Sequence, residues 1–506
     1  MYLAELQTKT IVLEPQYVDK DYLYDFAGYY VSCFHNYRRI TSRLHFFSHE
    51  FGQEAFTALL AQQDGPLTEE ALQSSYLGFI VVKPLPKTII GRTCLRTYST
   101  ENGKRDFPIL QNYPVNLAGL TLCVKSLAFQ EQDSVAAACA TSALWSCFHA
   151  TGKYFHHAIL SPTEITKAAT VSLPDQEIPN TRIFPNKGLS ATQMANAITA
   201  VGLEPQILSA SSQHLVKSTI YAYLKGQVPV LLGFSLLDYD AAKTQQVNYG
   251  RHAVAVSGYS MEDGDLVPHG STGLQLRASR MQKLYVHDDQ LGPFARMKFI
   301  TLPATHFGSG DENATIDLLS TEWRSSHGSA AVVGGPLLMV LPLYKKIRIP
   351  FQLIHDMTLE LDQFVEMVRA VHLPDMGRLE WDIYLTTGSD FKKSLRADNG
   401  ASLGDDLLGV LTASLPRFAW RVTATSGGEK ACDFLFDATG IEQSVLLLFM
   451  KVYTVELFAI LAALADAAHS NTIQPGAPQV LHILSAIHDP TSVTSAGSAP
   501  IILRPA

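Results

Sequence analysis

The chain has 506 residues, 47% of them hydrophobic and 17% charged, the make-up of a globular protein with room for about two to four cores. Its net charge of −8, with no run of lysine and arginine, argues against nucleic acid as a partner. The six cysteines, at 33, 94, 123, 139, 147 and 432, show no Cys-x-x-Cys spacing. That usage fits a reducing cytoplasm and excludes a disulfide framework or a common zinc pattern.

In chain order, the N-terminus MYLAELQTKTIVLEPQY lacks the basic start and apolar core of a secretory signal. Residues 1–117 read as an N-terminal α/β domain. Its expected elements are strands at Thr10–Leu13 and Arg43–Phe47, an aromatic helix over Asp21–Tyr37, an amphipathic helix over Glu50–Gln63, and strands at Tyr76–Pro84 and Thr88–Tyr98. Residues 101–117, with Asn, Gly, Lys and two prolines, read as a linker, and Leu120–Ala128 as a strand.

The most informative stretch follows. Gln132, Asp133 and Ser134 form a polar turn, an Ala-rich run succeeds it, and Ala140, Leu144, Cys147 and Phe148 recur at helical spacing up to a stop at Gly152. This places Cys139 in the first turn of a helix. There the unpaired N–H groups and the macrodipole favour negative charge and so a nucleophilic thiolate. The pair His156 and His157, with Cys147 and His149 nearby, matches no zinc pattern. Two more helices start at capping residues, Ser161 (with Pro162 and Glu164) and Ser190, the second stopping at Gly202. Then come a strand at Leu203–Leu208, a helix at Leu215–Lys225 and a buried strand at Val228–Phe234. A cysteine nucleophile needs a base, and His252 opens the buried run His-Ala-Val-Ala-Val. The strand Leu284–Asp288 ends in two carboxylates, Asp288 and Asp289.

Two insertions, Met261–Lys283 and Pro303–Gly328, read as polar loops that overhang a cleft. The first ends in a basic, helix-like piece at Leu276–Lys283, and the second contains Gly308-Ser-Gly310. Residues 346–506 read as a C-terminal α/β domain with strands at Arg378–Thr387, Arg417–Thr425 and Ala431–Asp437, a helix at Asp390–Leu395, and a loose tail from about 470. The apolar stretch Val445–Ala465 is interrupted by Lys451 and Glu456, so it reads as a buried strand followed by a helix and not as a membrane span.

Taken together, Cys139, then His-Ala-Val at His252, then a strand-end Asp, with a Gln shortly before the Cys, resemble the papain-like cysteine peptidase superfamily. Within it the chain is more similar to the bacteriocin-leader-processing (double-glycine) peptidases than to the plant enzymes. The resemblance spans roughly residues 118–300, and the order of helices and strands up to the Gly-x-Val-Pro-Val strand fits it. It implies an α+β fold: a papain-like central domain over 118–345, with the Cys-bearing helix packed on an antiparallel sheet that carries His and Asp, flanked by two further α/β domains. It also implies a Cys139–His252–Asp288 triad, with Gln132 and the Cys139 backbone N–H as oxyanion donors. The related families place the Gln six residues before the Cys, where this chain has Asp133. Gln132 fits if one residue bulges among Ala136–Ala138, with Gln130 the alternative. The third member is Asp288 by likeness to the leader peptidases and Asp289 by likeness to the plant enzymes.

The implied function is hydrolysis of a peptide or isopeptide bond through an acyl-enzyme, without cofactor or metal, on a peptide or protein substrate. The flanking domains would engage a protein partner. The same residues also suit an acyltransferase or a non-catalytic peptide-binding scaffold.

Overall fold

The computed structural model describes residues 2–101, 103–133, 138–171, 188–239, 248–307, 311, 313–324, 331–399, 405–489 and 499–505. Gly308–Gly310 and most of the expected bulge at Ala136–Ala138 lie outside the described residues. The chain is mixed α and β and forms two compact units. The first comprises 1–213, 227–260 and 282–343; the second comprises 214–226, 261–281 and 344–506. The boundary expected near residue 117 falls inside the first unit. Among the described residues, no helix is long and apolar enough to cross a membrane.

The first unit holds two main sheets. A four-stranded antiparallel sheet runs Thr10–Tyr17, Thr41–Phe47, Tyr76–Val82, Ile90–Leu95. The second sheet closes on itself. Val230–Tyr239 pairs with Asn248–Met261, which pairs with Met281–Asp288; then follow Gly292–Pro303, Thr315–Arg324 and Ala331–Leu343, and the last pairs back with Val230–Tyr239. Closure leaves few free strand edges. It also brings the end of the Asp288 strand beside the His252 strand.

The helix Cys139–Phe155 packs against the Val230–Tyr239 strand of this ring. Leu144, Trp145, Cys147, Phe148 and Ala150 are all fully buried, and the polar Thr141, Ser142, Ser146 and Thr151 are buried with them. It ends one turn beyond the expected stop, at His156 in the left-handed conformation (φ 60°). Gly152 has another purpose: a Cβ there would lie 2.7 Å from the Ile159 side chain. The helices after Ser161 and Ser190 carry full capping boxes, with Glu164 and Gln193 returning the bond.

Four expectations are corrected. The linker at 101–117 is instead a two-residue bridge strand at Arg105–Asp106 and the first arm of a hairpin, Gln111–Leu117 with Leu120–Ser126. Its turn is Ala118-Gly119, with φ of 49° and 90°; the alanine in that conformation hides the usual Asn-Gly signal. The polar insertion Pro303–Gly328 contains the strand Thr315–Arg324. The helix-like piece at Leu276–Lys283 is a single 3-10 turn, Arg277–Arg280, leading into the strand Met281–Asp288. The tail from 470 contains the helix Pro478–His488, with Val480, Ile483 and Leu484 buried, and the strand Ile501–Leu503.

The second unit is built on a six-stranded sheet in the order Gln275–Leu276, Glu380–Thr387, Phe418–Ser426, Glu429–Asp437, Leu447–Val452, Ile501–Leu503. The two outer pairings are parallel and the inner ones antiparallel. Three helices, Phe351–His372, Val455–His469 and Pro478–His488, pack on one another. Between neighbouring strands, Arg421 and Asp433 form a buried bidentate pair at 2.9 and 2.6 Å.

Candidate active site

Cys139 is the first residue of its helix, after Ala138 in extended conformation (ψ 173°). Its backbone N–H therefore belongs to the turn that no intrahelical carbonyl serves. The residue is half-buried, whereas Cys147, two turns on, is fully buried. Burial alone pushes the Cys147 thiol up to about 12, which makes it an inert packing residue.

His252 sits where its strand goes inside. Asn248, Gly250 and Arg251 are exposed, and every residue from His252 to Ser260 is buried. A bulge with Gly250 at φ 101° precedes it. The ring is walled by Phe234, directly opposite on the neighbouring strand, with centroids 5.5 Å apart, and by Trp323 at 6.2 Å. Gly334 makes room for that wall: a Cβ there would meet Phe234 and Trp323 at 3.0 and 3.2 Å.

Asp288 ends the next strand, opposite Gly292, whose φ is 111°. Its Oδ1 accepts the backbone N–H of Gln290 (2.9 Å) and of Leu291 (3.3 Å), an Asx-type turn that fixes the carboxylate. Its Oδ2 accepts from His252 Nε2 at 3.2 Å and from the Trp323 indole N–H at 2.8 Å. The Cys139 side chain also hydrogen-bonds the His252 ring. Sulfur, imidazole and carboxylate from three separate stretches thus meet in one chain of contacts. Asp289 approaches the same nitrogen, its Oδ1 3.3 Å from Nε2.

The electrostatics are lopsided. Burial works against a charged His252 ring. The bond to Asp288, the bond to Cys139 and the charges of both aspartates outweigh it, holding the pKa at about 10. The Asp288 carboxyl is likewise opposed by burial, yet its bonds to His252, Gln290 and Trp323 hold it below the ordinary carboxylate range. Asp289 goes the other way. Burial and the neighbouring Asp288 charge raise it to about 6 in spite of the attraction of His252.

The next histidine on this strand is structural. His287 accepts the Phe294 N–H on Nδ1 and donates from Nε2 to the Leu127 carbonyl at 3.1 Å. Burial lowers its pKa to about 3, so it stays neutral.

The oxyanion candidates are less defined. Gln132 is half-buried and Gln130 buried, and residues 134–137 lie outside the described residues. No described contact brings Gln130 or Gln132 to Cys139. Asp133, at the position six before Cys139, is buried and accepts a hydrogen bond from the Tyr30 phenol.

Sequence reasoning missed Trp323 and Phe234. Trp323 lies in the stretch read as a polar loop, and the only cue was an isolated Trp among charged residues. Comparison with models of known families finds no match, and neither does comparison with curated proteins.

Proposed function

We propose that the chain is a papain-like cysteine peptidase, hydrolysing a peptide or isopeptide bond through an acyl-enzyme on Cys139. The observation that carries this reading is the convergence of the Cys139 thiol, the His252 ring and the Asp288 carboxylate. The helix packed against a closed antiparallel sheet, with the thiol at the helix head and the ring and carboxylate on neighbouring strands, agrees with it.

In this mechanism a ring that stays protonated at neutral pH supplies the counter-charge a thiolate nucleophile needs. The thiolate attacks the carbonyl carbon, and the oxyanion forms beside the Cys139 backbone N–H. His252 gives its proton to the leaving amine, then takes one from the water that releases the acyl group. Asp288, held by two backbone amides and an indole, keeps the ring oriented throughout.

The test is to incubate the full chain with a diverse peptide library and read new termini by mass spectrometry. The expected result is cleavage by the native chain and none by Cys139→Ala, with products carrying a free carboxylate. Products joined to an added amine would favour an acyltransferase. Cleavage that persists in Cys139→Ala would remove the nucleophile assignment.

A further inference from the structure

One buried group in the site has no part in the proposed mechanism. The Asp289 side chain is 2% exposed. Neither of its carboxylate oxygens has a hydrogen-bond partner in another residue, and only the attraction of His252 and its own backbone amide help to hold its charge. Yet Oδ1 points at His252 Nε2, the nitrogen that already faces Asp288. Two carboxylates and one imidazole thus crowd a single point, with ligand atoms of all three within 4.8 Å of one another.

The spacing suits a metal ion. Nε2 lies 3.2 Å from Asp288 Oδ2 and 3.3 Å from Asp289 Oδ1. Ligands about 2.0–2.2 Å from a tetrahedral zinc stand about 3.3–3.6 Å apart, so a small expansion or none separates these two edges from a coordination shell. The charge count agrees. A dication held by a neutral imidazole and two carboxylates sums to zero, and buried charge without a partner is costly. The surroundings are of the kind that orient metal-bound carboxylates: two backbone amides on Asp288 Oδ1 and the Trp323 indole on Oδ2.

We propose that His252 Nε2, Asp288 Oδ2 and Asp289 Oδ1 form a binding site for one divalent cation of the zinc type. The ion displaces the Nε2 proton, which leaves to solvent, while Nδ1 keeps its own. A nitrogen bound to metal cannot also donate to Asp288, so the metal-bound form and the triad-competent form exclude one another. The site is then regulatory for the function proposed above and rests on that reading only for this consequence.

The experiment uses the full-length C139A chain, which lacks the thiol as a competing ligand. Its outcome is therefore independent of whether Cys139 acylates, which the peptide library tests separately. Zinc is titrated calorimetrically in two buffers of different ionisation enthalpy near pH 7. The expected result is one ion per chain, about one proton released per ion, and at least tenfold weaker binding in C139A/D289N and C139A/D289S. If either double variant fails to fold, cobalt(II) titrated into C139A gives the answer: bound beside Asp288, it quenches Trp323 emission, and the quench disappears in C139A/W323F. No binding to C139A, binding without proton release, affinity unchanged in the folded Asp289 variants, or cobalt binding without loss of Trp323 emission would each overturn the site.

Discussion

At the scale of single residues, the two adjacent aspartates are set apart by what touches them. Asp288 receives two backbone amides, an indole and an imidazole, while Asp289 receives only the attraction of the ring and its own amide. Their linkage to stability has opposite signs. The raised pKa of His252, about 10, contributes stability that is complete below the ring's ordinary 6.5 and lost as pH climbs through about 10. The depressed Asp288 contributes above its ordinary 3.8 and loses that contribution in acid. Asp289, raised to about 6, favours its protonated form in the folded state, so once ionised it costs stability above that pH. The cost is of order 1–3 kcal/mol. Asp289→Asn is therefore expected to raise the melting temperature at pH 8 and to change it little at pH 4; equal shifts at both would contradict the assignment. Asp288→Asn is expected to slow alkylation of Cys139 by about 10²-fold or more, and Asp289→Asn by less than tenfold. The reverse ranking in a stopped-flow alkylation assay would move the orienting role to Asp289.

At the scale of elements, what could be read from the sequence depended on whether the cue was local. The Cys139 helix announces itself by apolar spacing, and the Ser161 and Ser190 helices by capping residues whose bonds form as expected. The Thr315–Arg324 strand does not, because Asp317, Ser320 and Glu322 dilute its alternation, although both of its partners are the neighbouring strands in sequence. That strand carries Trp323, so the indole that lines Asp288 was not legible in the sequence. The Gly334 contact shows how tightly this wall is set: Gly334→Ala places a methyl 3.0–3.2 Å from two aromatic rings. It is expected to cost about 1–3 kcal/mol, read by chemical denaturation. It is also expected to slow Cys139 alkylation, because the His252 ring loses its fixed seat.

At the scale of the whole molecule, composition was a poor guide to the C-terminus. Pro, Ser and Thr after residue 470 suggest a loose tail, yet Val480, Ile483, Leu484 and Ile487 are buried and Ile501–Leu503 extends the six-stranded sheet. A short helix with four apolar residues on one face is easily lost among turn-forming neighbours, and a three-residue edge strand has no periodicity to read. Truncation after residue 470 is accordingly expected to strip one helix and one strand from the second unit and to yield a chain that aggregates or melts well below the intact one. An unchanged melting curve would show that these segments contribute nothing.

The most direct measurement compares two cysteines of the same chain. Cys139 and the exposed Cys123 are alkylated together at pH 7 with limiting iodoacetamide, and each site is quantified by mass spectrometry. The account expects Cys139 to react at least about tenfold faster than Cys123 in the native chain and to fall to the Cys123 rate in His252→Gln. Equal rates in the native chain, or a Cys139 rate untouched by His252→Gln, would contradict it.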